Sequence, residues 1–551
     1  MLRVRWLGRV PYREAFALQS ALFEHGREQH LLLLEHEHVF TYGPHAELDK
    51  NLKCDPAAVG ADFVAVNRGG DITYHGPGQL VGYPILSLPN AKGSLEHVRA
   101  VEQLLIDVLT RLGVADAGRL DGYPGVWVEA TGPNPRKIAA IGVRLAHGRT
   151  MHGFALNNTT DLTYMRTHIV ACGIADRPVT SLAEEGLDVP MARLVDLVTE
   201  LAAERWGGGV AERQDVAWQH RPSDLSAFSR GAGPGVFRQA QQPEVAPRSH
   251  ARLAQAGVTE GLSISTRKPD WLRPKVHHGP EVLALRRSLR ELGLVTVCED
   301  AGCPNLSECW ADGTATLMVL GERCTRACGF CLVDTRHPEP PAADEPERVA
   351  EAVARMDLDH AVLTMVARDD LPDGGMAHVA ACVAAVRARR PGTRVETLIS
   401  DAKGDATSLD LLFAERPDVL NHNLETVARL QRAVRPSAGY VRSLSVLARA
   451  KAAGLVTKSG IMVGLGETDT ELEGALADLA GVGVDIVTIG QYLRPTSNHL
   501  PVARWAEPHE FTRWKQVGEA LGIGHVEASP LTRSSYHARG AADTVTAVTV
   551  G

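Results

Sequence analysis

No apolar stretch in the sequence is long enough to cross a bilayer. The longest pure leucine run, Leu31–Leu34, is followed at once by charges, whereas a helical span needs roughly 18 or more apolar residues. An apolar signal core is also missing: Met1-Leu2-Arg3-Val4-Arg5-Trp6 leads straight into helix-like sequence, so neither secretion nor import is expected. Basic residues are not in excess. Lys and Arg number 58 against 66 Asp and Glu, a formal charge of -8, which excludes a generally nucleic-acid-coating protein. There is no short internal repeat and no long low-complexity tract. Cysteine is scarce, and its nine residues are badly spread for a disulfide framework: six fall between Cys298 and Cys331, while Cys54, Cys172 and Cys382 stand apart. Such a cluster reads as metal binding in a reducing compartment. The expectation is a cytoplasmic chain with no membrane or nucleic-acid partner.

What remains is ordinary globular composition, 44% hydrophobic and 23% charged over 551 residues. At about 150 residues per domain, that suggests three or four domain-sized units or two large ones. The front begins with a helix after Pro11, with Leu18 and Leu22 on one face. Strand-sized apolar runs follow at Leu31–Leu34, Phe63–Val66, Leu80–Leu86, Val126–Val128 and Ile138–Val143, with helices expected at Ser94–Leu112 and Met191–Arg205. This is an α/β domain. Over residues 223–262 the composition turns to Gly, Pro, Ser and Gln, as in Ser229-Arg230-Gly231-Ala232-Gly233-Pro234-Gly235, which is linker texture. The expected division is 1–222, a flexible linker over 223–262, and 263–551.

The back half alternates. Helices at Glu345–Met356, His378–Arg389, Val441–Ala453 and Thr470–Gly481 precede strands at His360–Met365, Thr393–Ile399, Thr457–Val463 and Asp485–Ile489 respectively. Alternation of this kind builds a parallel sheet curled into a full or partial barrel, with chemistry at the C-terminal strand ends.

Cys324, Cys328 and Cys331 form a CxxxCxxC loop. Three thiolates at this spacing suit one cubane iron–sulfur cluster with its fourth iron left open to a ligand. Zinc is the alternative, although a structural zinc wants a fourth ligand from elsewhere. Just upstream, Cys298, Cys303 and Cys309 make a second triple, which favours a pair of clusters. Cys382 lies in a helical pattern and reads as core.

Both triples resemble lipoyl synthase, a radical S-adenosylmethionine family, over about 268–538. The likeness extends to Arg368-Asp369-Asp370-Leu371-Pro372-Asp373-Gly374-Gly375, Asn421-His422-Asn423-Leu424-Glu425-Thr426, Lys458–Thr468, Gln491–Thr496 and Arg533-Ser534-Ser535-Tyr536. The resemblance implies that Cys324, Cys328 and Cys331 hold a 4Fe-4S cluster that binds and cleaves S-adenosylmethionine. It implies that Cys298, Cys303 and Cys309, with Ser535 as an oxygen ligand, hold a second, sulfur-donating 4Fe-4S cluster. Without the resemblance Ser535 reads as a turn serine. Asn421, Asn423, Glu425 and Arg494 follow strands and are candidates for holding cofactor or substrate, with a buried polar network as the alternative. Met365, Ser400 and Ala402 depart from the family pattern and leave every ligand position intact.

The front half carries two further segments. Arg68-Gly69-Gly70-Asp71-Ile72-Thr73-Tyr74-His75-Gly76-Pro77-Gly78-Gln79 is rich in Gly and Pro, so its backbone N–H groups can approach a ligand, and Arg68 and His75 can contact a carbonyl or phosphate. A plain turn is the alternative. Lys137 opens a strand, where a solvated lysine is the ordinary reading. Cys172 is either a nucleophile or a small buried hydrophobe. Together with Gly125–Val128, Lys137–Gly142, His152–Asn157 and Cys172–Ile174, these segments resemble lipoyl(octanoyl) transferase over about 1–220.

That resemblance implies a fold related to biotin and lipoate protein ligases, in which Cys172 carries the acyl group as a thioester and Lys137 lowers its pKa. It implies an octanoyl site lined by Arg68, Gly69, Gly70, Asp71, Ile72, Thr73, Tyr74 and His75, by Ala140, Ile141 and Gly142, and by Gly153, Phe154 and Ala155. Ala171 replaces the usual proline before the cysteine. The two resemblances describe consecutive steps. Octanoyl moves from acyl carrier protein to a lysine of a lipoyl-accepting domain, in E2 subunits of 2-oxoacid dehydrogenases or the glycine cleavage H protein. Two sulfurs are then inserted, with an electron donor such as ferredoxin or flavodoxin. The alternative is that one half is active and the other is a carrier-binding scaffold.

Overall fold

The computed structural model describes residues 1–88, 93–216, 248–273, 287, 289, 291–296, 305–311 and 313–549. The chain divides into two compact units, Met1–Trp218 and Gln219–Gly551.

In the first unit, β1 (Leu2–Val10), β2 (Gln29–His36), β6 (Gln79–Ile85), β7 (Gly118–Leu120), β8 (Tyr123–Val128), β9 (Arg136–Ala146), β10 (Arg149–Asn157) and β11 (Ala211–Asp215) form one mixed sheet. Its order is β11-β1-β2-β6-β10-β9-β8-β7. A smaller sheet, β4-β3-β5, joins Asp62–Ala65, Val39–Tyr42 and Thr73–His75. Leu31 and Leu33 of β2 pack with Val101, Leu105, Leu194 and Val198 from helices Ser94–Arg111 and Met191–Trp206. Leu32 and Leu34, on the other face, are equally buried. The strand is covered on both sides, which is why it reads as an unbroken leucine run instead of an alternating one. Pro11 immediately precedes helix Tyr12–His25, where its fixed φ and missing N–H are tolerated.

In the second unit, β12 (Val295–Thr296), β13 (Thr314–Val319), β14 (His360–Met365), β15 (Arg394–Leu398), β16 (Val419–Asn421), β17 (Thr457–Val463), β18 (Ile486–Gln491) and β19 (His525–Ala528) are neighbours in chain order. All pairings from β13 to β19 are parallel. Helices Glu345–Arg355, Met376–Arg389, Ala406–Ala414, Tyr440–Ala452, Asp469–Gly481 and Pro508–Ala520 cross between successive strands, the plan of a partial β/α barrel. The crossovers start on local signals. Thr468 and Glu471 form a reciprocal capping box, Asp405 accepts from the Ser408 N–H, and Pro346 occupies the first turn of its helix, each answering an N–H the helix leaves unpaired.

Inside this barrel four adjacent strands contribute a buried polar group. Lys458 Nζ lies 3.0 Å from Glu396, both fully inaccessible, while Asn421 Nδ2 donates to Glu396 at 2.9 Å and His360 Nε2 is 3.4 Å away. Burial opposes the Glu396 charge, but Lys458, then His360 and Asn421, overcome it and hold the carboxyl at about 2.

The linker expected over 223–262 is shorter at its end. Residues 248–255 form a helix, Leu253 is buried, Arg429 donates to the Ala256 carbonyl, and Leu262 N–H bonds Val502 O at 2.7 Å. A polar sequence reads as linker, yet one anchoring leucine and paired backbone tie 248–262 to the second unit. Residues 223–247 lie outside the described residues.

Candidate active sites

Loop 68–75, strand β9, strand β10 and the turn Ala171–Gly173 meet around a cleft of about 610 Å³, counting its open mouth. Cys172 and Lys137 both line it, with Arg68, Gly69, Gly70, Asp71, Thr73, His75, Ala140, Ile141, Gly142, Gly153, Phe154 and Ala155. Ile72 and Tyr74 do not. They belong to a buried cluster with Phe40, Leu162 and Ile169, because side chains alternate along β5 and only every second one faces the cleft. Tyr12, Tyr83, Pro124 and His152 line it as well, contributed by segments far apart in sequence. His152 was visible beside Gly153; Tyr12 and Tyr83 carried no motif of their own.

Cys172 is half-buried and sits in the left-handed region at φ 58°. Its N–H donates to Ile72 O at 2.8 Å. A non-glycine residue held there costs roughly 1 kcal/mol or more, and such strain concentrates at functional sites. Asp71 braces the turn: Oδ1 accepts from Ile72 N–H at 2.6 Å and Oδ2 from Asn51 Nδ2 at 2.7 Å. Lys137 is buried, not solvated, and its Nζ lies 5.7 Å from the Trp127 ring centroid. Gly125 makes room for it, since a Cβ there would stand 2.7 Å from Lys137 Cε. Gly153 is demanded by a close strand approach, as its Cβ would lie 2.1 Å from Gly82 O.

Arg68 donates to Asp71 O at 2.8 Å and Thr41 O at 2.7 Å, and its Nε is buried without a partner. Burial lowers its pKa, with Cys172 first among the charges that oppose this; a guanidinium nevertheless stays charged. The cleft thus brings together one thiol and two cationic side chains.

The second site lies at the C-terminal ends of the barrel strands. The CxxxCxxC loop follows β13 and is pinned by backbone bonds from Cys324 N–H to Asp334 O (2.8 Å), Thr325 N–H to Ala367 O (3.0 Å) and Gly329 N–H to Val434 O (2.9 Å). Arg326 forks onto Asp369 at 2.7 and 2.8 Å and reaches Asp401 at 2.6 Å. Burial opposes the Asp401 charge, and Arg326 overcomes it, holding the carboxyl at about 2. Burial pushes the Cys324 thiol up, Cys328 to about 11 and Cys331 to about 12, and the latter two also feel neighbouring cysteines of the loop.

Among the described residues no three His, Cys, Asp or Glu side chains converge on a single ion.

Asn423 Nδ2 donates to Glu425 Oε1 at 3.1 Å and to Ser534 Oγ at 2.8 Å, leaving its Oδ1 buried and unpaired. Asn421 likewise has an orphaned Oδ1, but its amide serves the Glu396 network. Glu425 is left-handed at φ 68°, and burial raises its pKa against Arg435. Arg494 turns onto its own loop, donating to Thr496 O at 3.1 Å and His499 O at 3.0 Å. His499 Nε2 in turn donates to Cys331 O at 2.9 Å, so Arg494 braces the loop that supports the cysteines. Met365 packs against the barrel core and Ala402 is left-handed at φ 44°.

Cys298 and Cys303 lie outside the described residues. Cys309 is half-buried on helix Leu306–Ala311. The segment carrying Ser535 is tied to that helix: Asn305 Nδ2 donates to Leu531 O at 2.7 Å, and Tyr536 O–H to Glu308 Oε1 at 3.1 Å. The Tyr536 hydroxyl, pushed up to about 12 first by burial and then by Glu308, also feels Cys309. Ser535 itself is half-buried.

Residues 11–202 match the lipoyl protein ligase A/B catalytic domain, and 318–479 the radical SAM superfamily. The lipoyl synthase of Rubrobacter xylanophilus is 53% identical over 273 residues, covering 49% of this chain and 85% of that protein. That of Methylococcus capsulatus is 50% identical over 301 residues, covering 54% and 94%. Among solved structures, a bipartite lipoate protein ligase of Thermoplasma acidophilum, described with its E2 lipoyl domain, is similar at TM-score 0.34 and 17% identity, covering 41% of this chain and 91% of that one. Methylornithine synthase is similar at TM-score 0.32 and 14% identity, covering 43% and 72%. The chain belongs to the lipoyl synthase family through its second unit and carries a lipoyl protein ligase A/B catalytic domain in its first.

Proposed function

We propose that both units are active and perform consecutive steps: transfer of octanoyl from acyl carrier protein to a lysine of a lipoyl-accepting domain, then insertion of two sulfurs into that chain. The observation that carries this reading is the meeting of Cys172, Lys137 and Arg68 on one cleft of a chain that also has a lipoyl synthase unit.

In the first step the Cys172 thiolate, favoured by Arg68 and Lys137, attacks the donor thioester. A C–S bond to Cys172 forms, the donor C–S bond breaks, and the Lys137 ammonium is placed to protonate the departing thiolate. In the second, the acceptor amine bonds the same carbonyl carbon and Cys172 leaves. The proton lost by nitrogen returns the thiol or Lys137 to its starting state.

In the second unit, Cys324, Cys328 and Cys331 would hold one 4Fe-4S cluster, and Cys298, Cys303 and Cys309 with Ser535 another. Glu425 and Asn423 would contact S-adenosylmethionine. When bound, these groups supply a radical able to take hydrogen from unactivated carbon, and sulfur to replace it. The protein's own part is positional: Arg326, Asp369 and Asp401 fix the cysteine loop, and Asn305 and Glu308 fix the Ser535 segment. An electron donor such as ferredoxin or flavodoxin would complete the reaction in the cytoplasm, where thiols stay reduced. E2 domains and the glycine cleavage H protein are the acceptors this reading implies.

The test is anaerobic reconstitution with octanoyl-acyl carrier protein, an apo lipoyl domain, S-adenosylmethionine and reductant. Expected are about eight irons per chain and a domain whose mass rises first by octanoyl and then by two sulfurs. A zinc-only protein that releases no deoxyadenosine would end the reading for the second unit, and absence of an acyl-Cys172 thioester would end it for the first.

A further inference from the structure

Two buried imidazoles, His75 and His152, line the cleft and a third, His36, packs against His75; hydrogen-bond polarity fixes two of the three. Asn157 Nδ2 donates to the Thr180 carbonyl at 2.9 Å, so its Oδ1 is the acceptor of the Gln79 amide at 3.0 Å. Gln79 Nε2 also donates to the Tyr74 carbonyl at 3.3 Å. Two backbone carbonyls therefore orient both amides, and Gln79 Oε1 can only accept, at 2.8 Å, from His75 Nδ1–H. His75 is locked with its proton on Nδ1 and a lone pair on Nε2. That Nε2 has no hydrogen-bond partner among the described residues, and His75 lines the cleft. Burial, then His36, pushes its pKa down to about 3.

His36 is locked too, but both its nitrogens are engaged: Nδ1–H donates to Val10 O at 2.8 Å and Nε2 accepts from Tyr83 O–H at 2.8 Å. The His152 ring pairs through Nε2 with Asn67 Oδ1 at 2.8 Å and packs between Phe16 and Tyr83. His75 is thus a fixed, neutral acceptor in a cleft that also holds the cations of Arg68 and Lys137 and the Asp71 carboxylate, whose oxygens accept from Ile72 N–H and Asn51.

Resting on the acyl-transfer reading above, we propose that His75 Nε2 receives one N–H of the incoming lysine amine and turns the amine lone pair toward the Cys172 thioester. The cations disfavour an arriving ammonium, so the neutral amine is admitted. Without an acceptor it has no preferred orientation. His75 takes no proton; the bonds made and broken are those of the transfer itself. Its role falls in the second half-reaction, where the attacking group is an amine whose lone pair must be aimed; the amide N–H of the donor arm is separated from the reacting carbonyl by the sulfur and two methylenes.

The experiment separates the halves. Octanoyl-N-acetylcysteamine loads Cys172 in the full-length protein, and the acyl-enzyme is then chased with Nα-acetyllysine amide or with buffer. In His75→Ala the aminolysis-to-hydrolysis ratio of the loaded acyl-enzyme falls about 100-fold, the scale of a lost orientation. His75→Gln, whose amide oxygen can stand in for Nε2, recovers about tenfold of that loss. A parallel loss of acylation in both variants, as for a thiol base or a structural residue, would overturn the proposal, and so would an unchanged aminolysis-to-hydrolysis ratio in either. If wild type forms no Cys172 thioester, the acyl-transfer reading itself fails, a result distinct from these.

Discussion

The two units put cysteine to work in opposite surroundings. Cys172 sits alone on a strained turn, open to a cleft with two cations at its rim. Cys328 and Cys331, half-buried like Cys172, share one loop, where burial drives their thiols to about 11 and 12. On the proposed reading, a nucleophile needs a charged, accessible sulfur before its partner arrives, and Cys172 shares its cleft with Arg68 and Lys137. On the same reading, a metal ligand needs its charge only once the metal is present, so a thiol pushed up beforehand is tolerable.

The sharpest way to break this contrast is to remove one sulfur from each side. Cys172→Ser should lower acyl transfer at least about 1,000-fold and leave sulfur insertion into a pre-octanoylated domain unchanged. Cys328→Ala should abolish deoxyadenosine release and leave acyl transfer unchanged. Octanoyl and sulfur gain are read by mass spectrometry of the acceptor domain and deoxyadenosine by chromatography, and cross-effects would mean that the units do not work independently. Next comes the frame of the second site. Arg326→Leu leaves Asp401 buried without its partner and should destabilise that unit by about 3–5 kcal/mol in denaturant melts, with no change in the first. Ser535→Ala should reduce sulfur insertion about tenfold while deoxyadenosine still forms. An undiminished lipoyl yield would remove the serine from the site.

The smallest effect is the response to acid. In the first unit His30, His75 and His152 are pushed down to about 3, and His36 and His97 to about 4, in each case first by burial. These folded values lie below the unfolded value of about 6.5, so the unfolded chain binds more protons between them. Their stabilisation is present above about 6.5 and is lost as pH falls toward 4, on the order of 1 kcal/mol per imidazole by pH 5.5. In the second unit a single imidazole among the described residues, His422, is pushed down to about 4 first by burial, while Glu396 and Asp401, held at about 2, lose their stabilisation only below about 4. Calorimetry should show the first unit melting earlier at pH 5.5, with the order unchanged by salt.

Much of this was legible in sequence. Strand and helix periodicities located β14 and β17 residue for residue, because repeated βα units alternate burial with few exceptions. The helix at 406–414 escaped notice: its window Ala406–Ala414 is apolar on most sides, so no amphipathic stripe marked it. In the cleft, the 68–75 motif was read as one continuous wall, whereas β5 turns Ile72 and Tyr74 into packing. Tyr12, Tyr83 and the orientation of His75 were out of reach, since they arise from strands that meet only in three dimensions. Arg494, a candidate ligand contact from its place after β18, gives Nε and Nη2 to backbone carbonyls of its own loop.

The pairing of Lys458 with Glu396 constrains how this barrel can change over generations. Replacing either residue alone strands the other's charge in a dry interior, a loss of about 3–5 kcal/mol, while exchanging both for apolar groups of matched volume is often neutral. Positions 396 and 458 are therefore expected to drift together or not at all in descendants of this gene, and a lone substitution at either one should be found only beside a rescuing change.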